Sequence, residues 1–205
     1  MKQYLTEFIG TLFLALTVSL AGRSDLAPLA VAAVLMIMVY TGGYISGAHY
    51  NPAVSFSLAL SRVPFKAKFW GYICSQILGA VAGAMIAKGI GTETLAPFPT
   101  QPILFASLLA EIVFTFLLSY TVLHVATRKE SNQYYGIAIG SVLLVAAVVA
   151  GPISGAVLNP ALGIAAMLTS MVTGGSYPLS SMLLYIVGPL TGGLLAAAVY
   201  GVQKN

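Results

Sequence analysis

Six long apolar segments, near 4–22, 27–45, 67–88, 103–126, 134–151 and 179–201, fill most of the chain. Each runs to roughly 18–23 residues, which as a helix crosses the ~30 Å hydrocarbon core of a bilayer. The runs are continuous and do not alternate in polarity, so the spanning elements are helices and not the strands of a closed barrel. Charge supports this reading. Only 7% of the 205 residues are charged and 59% are hydrophobic, whereas a soluble domain carries about 25% charged residues. The chain is read as an all-α, multi-pass integral membrane protein.

Two further apolar segments, near 52–60 and 160–169, are too short to span. A helix of about nine residues covers only ~14 Å. Each opens with Asn-Pro-Ala, at Asn51-Pro52-Ala53 and Asn159-Pro160-Ala161, and each follows a Gly-containing stretch that breaks the preceding helix. Irregular backbone survives at membrane depth only where it is buried in protein or lines a wet cavity. Two half-membrane re-entrant helices therefore predict a cavity near the midplane.

The basic residues set an orientation. With six spans and both termini on one side, that side receives Lys2, Arg62, Lys66, Lys68, Arg128, Lys129 and Lys204, and the other receives Arg23 and Lys88. The bias places both termini in the cytoplasm. It also accounts for the net charge of +4 without a nucleic-acid partner. Lys2 and the following apolar run resemble a leader, but segment 103–126 shares the polar pattern of segment 4–22, so the first segment is expected to be retained. The lone Cys74 rules out an intrachain disulfide. No His, Cys and carboxylate cluster has ligand spacing, so neither a metal nor a cofactor is expected. No nucleophile stands beside a base, and the chain is not read as an enzyme.

The chain repeats itself. Glu7-x-x-x-Thr11 matches Glu111-x-x-x-Thr115 at a separation of 104 residues, and Ile45-Ser46-Gly47-Ala48 with Asn51-Pro52-Ala53 matches Ile153-Ser154-Gly155-Ala156 with Asn159-Pro160-Ala161 at 108. Gly79 and Gly83 match Gly188 and Gly192 at 109, in the small-xxx-small pattern of close helix crossings. Residues 1–205 thus read as a single domain of two repeats, about 1–100 and 101–205. Three spans per copy force the second to enter the membrane inverted.

"SGAHYNPAV", "SGAVLNPAL", "EFIGTLFL", "EIVFTF" and "GPLTGG", in this order, resemble the major intrinsic protein family of aquaporins and glycerol facilitators over essentially the whole chain. A lone Asn-Pro-Ala has little specificity; two in matching repeat positions, each after Ser-Gly-Ala, have much. The resemblance implies a passive channel with one pore per subunit, a homotetramer and a cell membrane, plasma or inner. It implies that the carbonyls of Gly47, Ala48, His49, Tyr50, Gly155, Ala156, Val157 and Leu158 line the pore as an acceptor ladder. By the same resemblance the narrowest ring maps, without gaps, onto Val31, Ala147, Ala156 and Leu162.

Asn before Pro is a favoured helix start, because Asn caps the first turn and Pro has no N–H to leave unpaired. The amides of Asn51 and Asn159 are expected to donate to a central water. Both half-helices also aim their positive ends at the centre, an arrangement that opposes protons and cations. Glu7 and Glu111 are the carboxylates well inside spans. They either pin the re-entrant loops by accepting backbone N–H groups or couple protons in a transporter. His49 is expected to be a bonded loop histidine, with a pH gate as the alternative, and His124 an interfacial side chain.

Water-selective relatives usually place an aromatic residue, His and Arg in the ring, and glycerol facilitators keep the Arg and commonly follow it with Asp. Here Leu162 stands for the Arg and Gly163 for the Asp. The ring has no charge, no side-chain donor and no aromatic. A wide ring would pass small polyols, urea, peroxide, ammonia, dissolved gases or neutral arsenous acid besides water; a narrow apolar one could gate by dewetting. Alternatives in other classes are a proton-coupled secondary transporter and a non-conducting structural protein.

Overall fold

A computed structural model describes residues 1–21, 24–61, 68–91, 104–126, 133–175 and 177–204. The described residues form nine helices: α1 (Lys2–Ala21), α2 (Ala27–Ser46), α3 (Pro52–Leu60), α4 (Phe69–Gly89), α5 (Leu104–Val125), α6 (Tyr135–Val149), α7 (Gly151–Ser154), α8 (Pro160–Val172) and α9 (Leu179–Lys204). Five of these, α1, α2, α4, α5 and α9, are long and apolar enough to cross a membrane. Their outward positions carry large apolar side chains that stand exposed among the described residues, such as Phe13, Ile37, Trp70, Leu78 and Leu183. Lipid covers such a surface in a membrane protein.

The segment expected at 134–151 differs from its five companions. It is a 15-residue helix, α6, that ends at Val149, is capped by Ala150 and is followed by the single turn α7. The cause is local. Pro152 cannot donate to the i−4 carbonyl and its ring crowds that position, so the chain restarts a turn at Gly151-Pro152. At the matching place α2 has Gly43-Tyr44 and runs unbroken to Ser46. The second half-helix also departs from expectation. It has 13 residues, three past the anticipated end at 169, and spans ~20 Å. The first, Pro52–Leu60, has the expected bounds. Arg23, Arg62, Lys66, Arg128 and Lys129, on which much of the charge bias rests, lie outside the described residues, as does most of the outer stretch 89–102.

Close helix crossings organise the packing. Helix α1 lies along α4, and α5 along α9. A Cβ on Gly79 would overlap the Phe8 carbonyl, one on Gly83 the Leu12 carbonyl and one on Gly192 the Ile112 carbonyl. The small residues at these positions let the backbones touch, as helices in lipid need when no hydrophobic effect drives them together. The half-helices are held across the repeat. α3 packs on α9, where a Cβ on Gly193 would stand 2.7 Å from the Ala53 carbonyl, and α8 packs on α4. Each half-helix is thus walled by the last long helix of the other half.

Candidate pore

The two Asn-Pro-Ala segments begin alike. Asn51 and Asn159 are extended N-cap residues whose side-chain oxygens accept from the N–H of Ala53 (2.8 Å) and of Ala161 (3.0 Å). Proline follows at the first helical position in both, where its missing N–H leaves nothing unpaired. Each amide then reaches across the repeat. Asn51 Nδ2 donates to the Leu158 carbonyl at 2.8 Å, and Asn159 Nδ2 to the Tyr50 carbonyl at 2.9 Å. This modifies the expectation of amides left wholly to a central water. One proton of each NH₂ group ties the two half-helices together, and a second remains on each.

The lead-ins are unusual backbone. Gly47, Ala48 and Tyr50 have φ of 89°, 51° and 50°, and Gly155, Ala156 and Leu158 have φ of 90°, 47° and 51°. The same register of left-handed residues recurs 108 positions on. An L-residue pays about 1–2 kcal/mol in this region, so something must enforce it. Glu7 and Glu111 do so. Glu7 accepts from Ser46 Oγ (2.6 Å), His49 N (3.0 Å) and Tyr50 N (2.7 Å). Glu111 accepts from Ser154 Oγ (2.8 Å), Val157 N (3.0 Å) and Leu158 N (2.7 Å). Both carboxyls are fully buried.

Other partners complete each clamp. Ser46 Oγ accepts from Ala48 N and Ser154 Oγ from Ala156 N. Tyr72 donates to the Ser46 carbonyl and Tyr185 to the Ser154 carbonyl. Gln76 Nε2 adds bonds to Glu7 Oε2 and Ser55 Oγ in the first half. His49 Nδ1 lies 3.0 Å from Ser55 Oγ and its ring lies against Tyr72. His124 is half-buried between Tyr120 and Tyr200, 2.9 Å from the Tyr120 carbonyl. Sequence reading missed Ser46, Ser154, Tyr72, Gln76 and Tyr185. The two serines sit in the duplicated Ile-Ser-Gly-Ala, which was a signal; Gln76, an amide inside an apolar span, was another.

Between the half-helices lies a cavity of about 240 Å³. It takes in Asn51 and Asn159, seven of the eight lead-in residues (all but Gly47), and Val31, Ala147, Ala156 and Leu162. The four residues mapped to a ring therefore share one space, although they come from α2, α6, the second lead-in and α8. Val54 lines the cavity at the place in α3 that Leu162 takes in α8. Neither Glu7 nor Glu111 lines it. No group of three or more His, Cys, Asp or Glu capable of holding a metal occurs among the described residues.

The profile of the major intrinsic protein family matches residues 1–200. The chain belongs to the major intrinsic protein family. A probable aquaporin of NIP type from Nicotiana alata is 38% identical over 177 residues, covering 84% of this chain and 63% of that protein. Aquaporin NIP1-1 from Zea mays is 33% identical over 219 residues, covering 99% of this chain and 75% of that protein. The chain is thus shorter than both relatives. The X-ray structure of the aquaglyceroporin from Plasmodium falciparum has the same fold, with a TM-score of 0.83 at 20% identity over 98% of this chain and 95% of that chain. Family and fold are those of membrane channels and not of enzymes.

Proposed function

We propose that this member of the major intrinsic protein family is a passive channel for water and small uncharged solutes. The observation that carries the reading is the cavity that passes both cross-linked asparagines and continues to the side chains of Val31, Ala147, Ala156 and Leu162. In this reading those four residues are the selectivity filter. Two alanines widen it, and the loss of arginine removes both a charge and a donor. Solutes in the range of glycerol, urea, peroxide, ammonia, dissolved gases and neutral metalloid acids then share the route with water.

The barrier to ions falls to the centre. The N-termini of α3 and α8 meet there, each equivalent to about +0.5 charge, and the second amide proton of each asparagine faces any occupant as a donor. A water accepting from both turns its own protons outward and breaks a proton relay. The domain is taken as residues 1–205 in two inverted repeats, about 1–100 and 101–205, with both termini cytoplasmic. We place it in the cell membrane, plasma or inner, as a homotetramer with one pore per subunit.

Proton-coupled transport is the weaker reading because both buried carboxyls are committed to the lead-ins and stand outside the cavity. Glycerol uptake into proteoliposomes, with and without an imposed pH gradient, separates the two. A channel equilibrates glycerol at a rate the gradient leaves unchanged. Accumulation above equilibrium under the gradient would replace it with a transporter.

A further inference from the structure

The two lead-ins use up their donors and keep their acceptors. In the first, Gly47 N–H goes to the Gly43 carbonyl, Ala48 N–H to Ser46 Oγ, and His49 and Tyr50 N–H to Glu7. In the second, Gly155 N–H goes to the Gly151 carbonyl, Ala156 N–H to Ser154 Oγ, and Val157 and Leu158 N–H to Glu111. The carbonyls behave differently. Those of Tyr50 and Leu158 accept the asparagine amides. Those of Ala48, Ala156 and Val157 accept no hydrogen bond among the described residues. All three residues line the cavity, so their acceptors must find partners in whatever fills it.

Side chains do not restore the balance on the Leu162 side. The cavity wall there comes from the start of α2, the end of α6 and the first turn of α8: Ala27, Pro28, Val31, Ala147 and Leu162. None carries a polar side-chain atom. Of the polar side chains on the whole wall, Tyr50 donates to the Met38 carbonyl, His49 Nδ1 is paired with Ser55, and the two asparagines stand at the centre. Beyond the asparagine amides, which are the donors a solute meets at the centre, the stretch up to Leu162 offers acceptors and hydrocarbon alone.

We propose that this chain selects, among uncharged solutes of one size, those that donate hydrogen bonds, and that Leu162 is the residue that sets this preference. The inference rests on the channel reading and refines its substrate class. A solute hydroxyl or N–H replaces a bond to water with one to the Ala156 or Val157 carbonyl. Past the asparagine amides, an ether or carbonyl oxygen of a solute gives up its water and receives nothing at Leu162, an unpaired acceptor in a dry place. Polyols, amides and neutral hydroxy acids belong to the favoured class, and ethers and ketones of equal size to the excluded one. A polar donor at position 162 would serve solute acceptors and level the difference.

Isomers test this at constant composition. 1,2-Propanediol has two hydroxyls; 2-methoxyethanol has the same formula, one hydroxyl and one ether oxygen. Stopped-flow light scattering on proteoliposomes, less the rate of empty vesicles, gives the protein-dependent permeability to each. We expect the diol to pass about fivefold faster, the effect of one hydrogen bond, and Leu162→Gln, similar in size but bearing an amide donor, to bring the ratio near one. Equal rates in the unaltered protein, or a faster ether, overturn the proposal, as does a ratio that Leu162→Gln leaves unchanged while the variant still conducts water. Water flux with neither isomer passing overturns it and leaves the channel standing. No protein-dependent flux of water or solute would sink the channel reading as well.

Discussion

The first half-site is tied more tightly than the second. Glu7 accepts four hydrogen bonds, because Gln76 Nε2 joins Ser46, His49 and Tyr50. Glu111 accepts three, from Ser154, Val157 and Leu158. Position 185, which answers to Gln76 in the repeat, is Tyr185, and it bonds the Ser154 carbonyl instead. The leading helix differs in the same sense, unbroken in α2 but split between α6 and α7. Two halves built on one pattern thus hold the same backbone with unequal support. The less supported half is the one that carries Ala156 and Leu162, the residues we assign to selecting solute.

The largest test of this contrast removes the carboxylates. Glu7→Ala strands four buried donors and Glu111→Ala three, one of them, Val157 N–H, only part-buried. An unpaired buried donor costs about 1–3 kcal/mol, so both variants should lose most folded protein, with Glu7→Ala worse by about one donor. Thermal unfolding in detergent, followed by loss of the monodisperse peak, ranks them. The reverse order would break the comparison.

Gln76→Leu should come next. It removes two bonds and brings the first clamp to the three donors of the second, for a loss of about 1–2 kcal/mol. Stability unchanged by that variant would mean that the fourth bond adds nothing. A finer contrast lies one turn along the helices. Thr11 Oγ1 donates to the Glu7 carbonyl at 2.8 Å, whereas the buried Thr115 Oγ1 has no partner among the described residues. Thr11→Val is expected to destabilise by about 1 kcal/mol and Thr115→Val by nothing or less. Unfolding temperatures measured side by side decide it.

Much of this was legible before any coordinates. The half-helices followed from Asn-Pro-Ala at the head of runs too short to span. The carboxylates stood out because Glu7 and Glu111 sit in otherwise apolar helices. The break after Ala150 was written in Gly151-Pro152, but hydropathy is blind to a missing N–H and read straight through it. What the sequence hid was partnership. That the Asn51 amide would take the Leu158 carbonyl, and Asn159 that of Tyr50, depends on two segments over a hundred residues apart arriving face to face. Likewise nothing in the order of residues says that Tyr72 and Tyr185 hold the Ser46 and Ser154 carbonyls from neighbouring helices. Val31, Ala147, Ala156 and Leu162 were placed together only through a family pattern, and the fold brings all four to one cavity wall.

Solute selection turns on Leu162, so the decisive measurement compares water, glycerol and urea permeability in proteoliposomes of the unaltered protein and of Leu162→Arg at matched amounts of folded protein. A wide, uncharged filter predicts fast glycerol and urea uptake over empty vesicles. It also predicts that arginine cuts both by about tenfold, the equivalent of about 1.4 kcal/mol, while water falls much less. Equal loss of water and solutes, or no solute uptake in the unaltered protein, would contradict it.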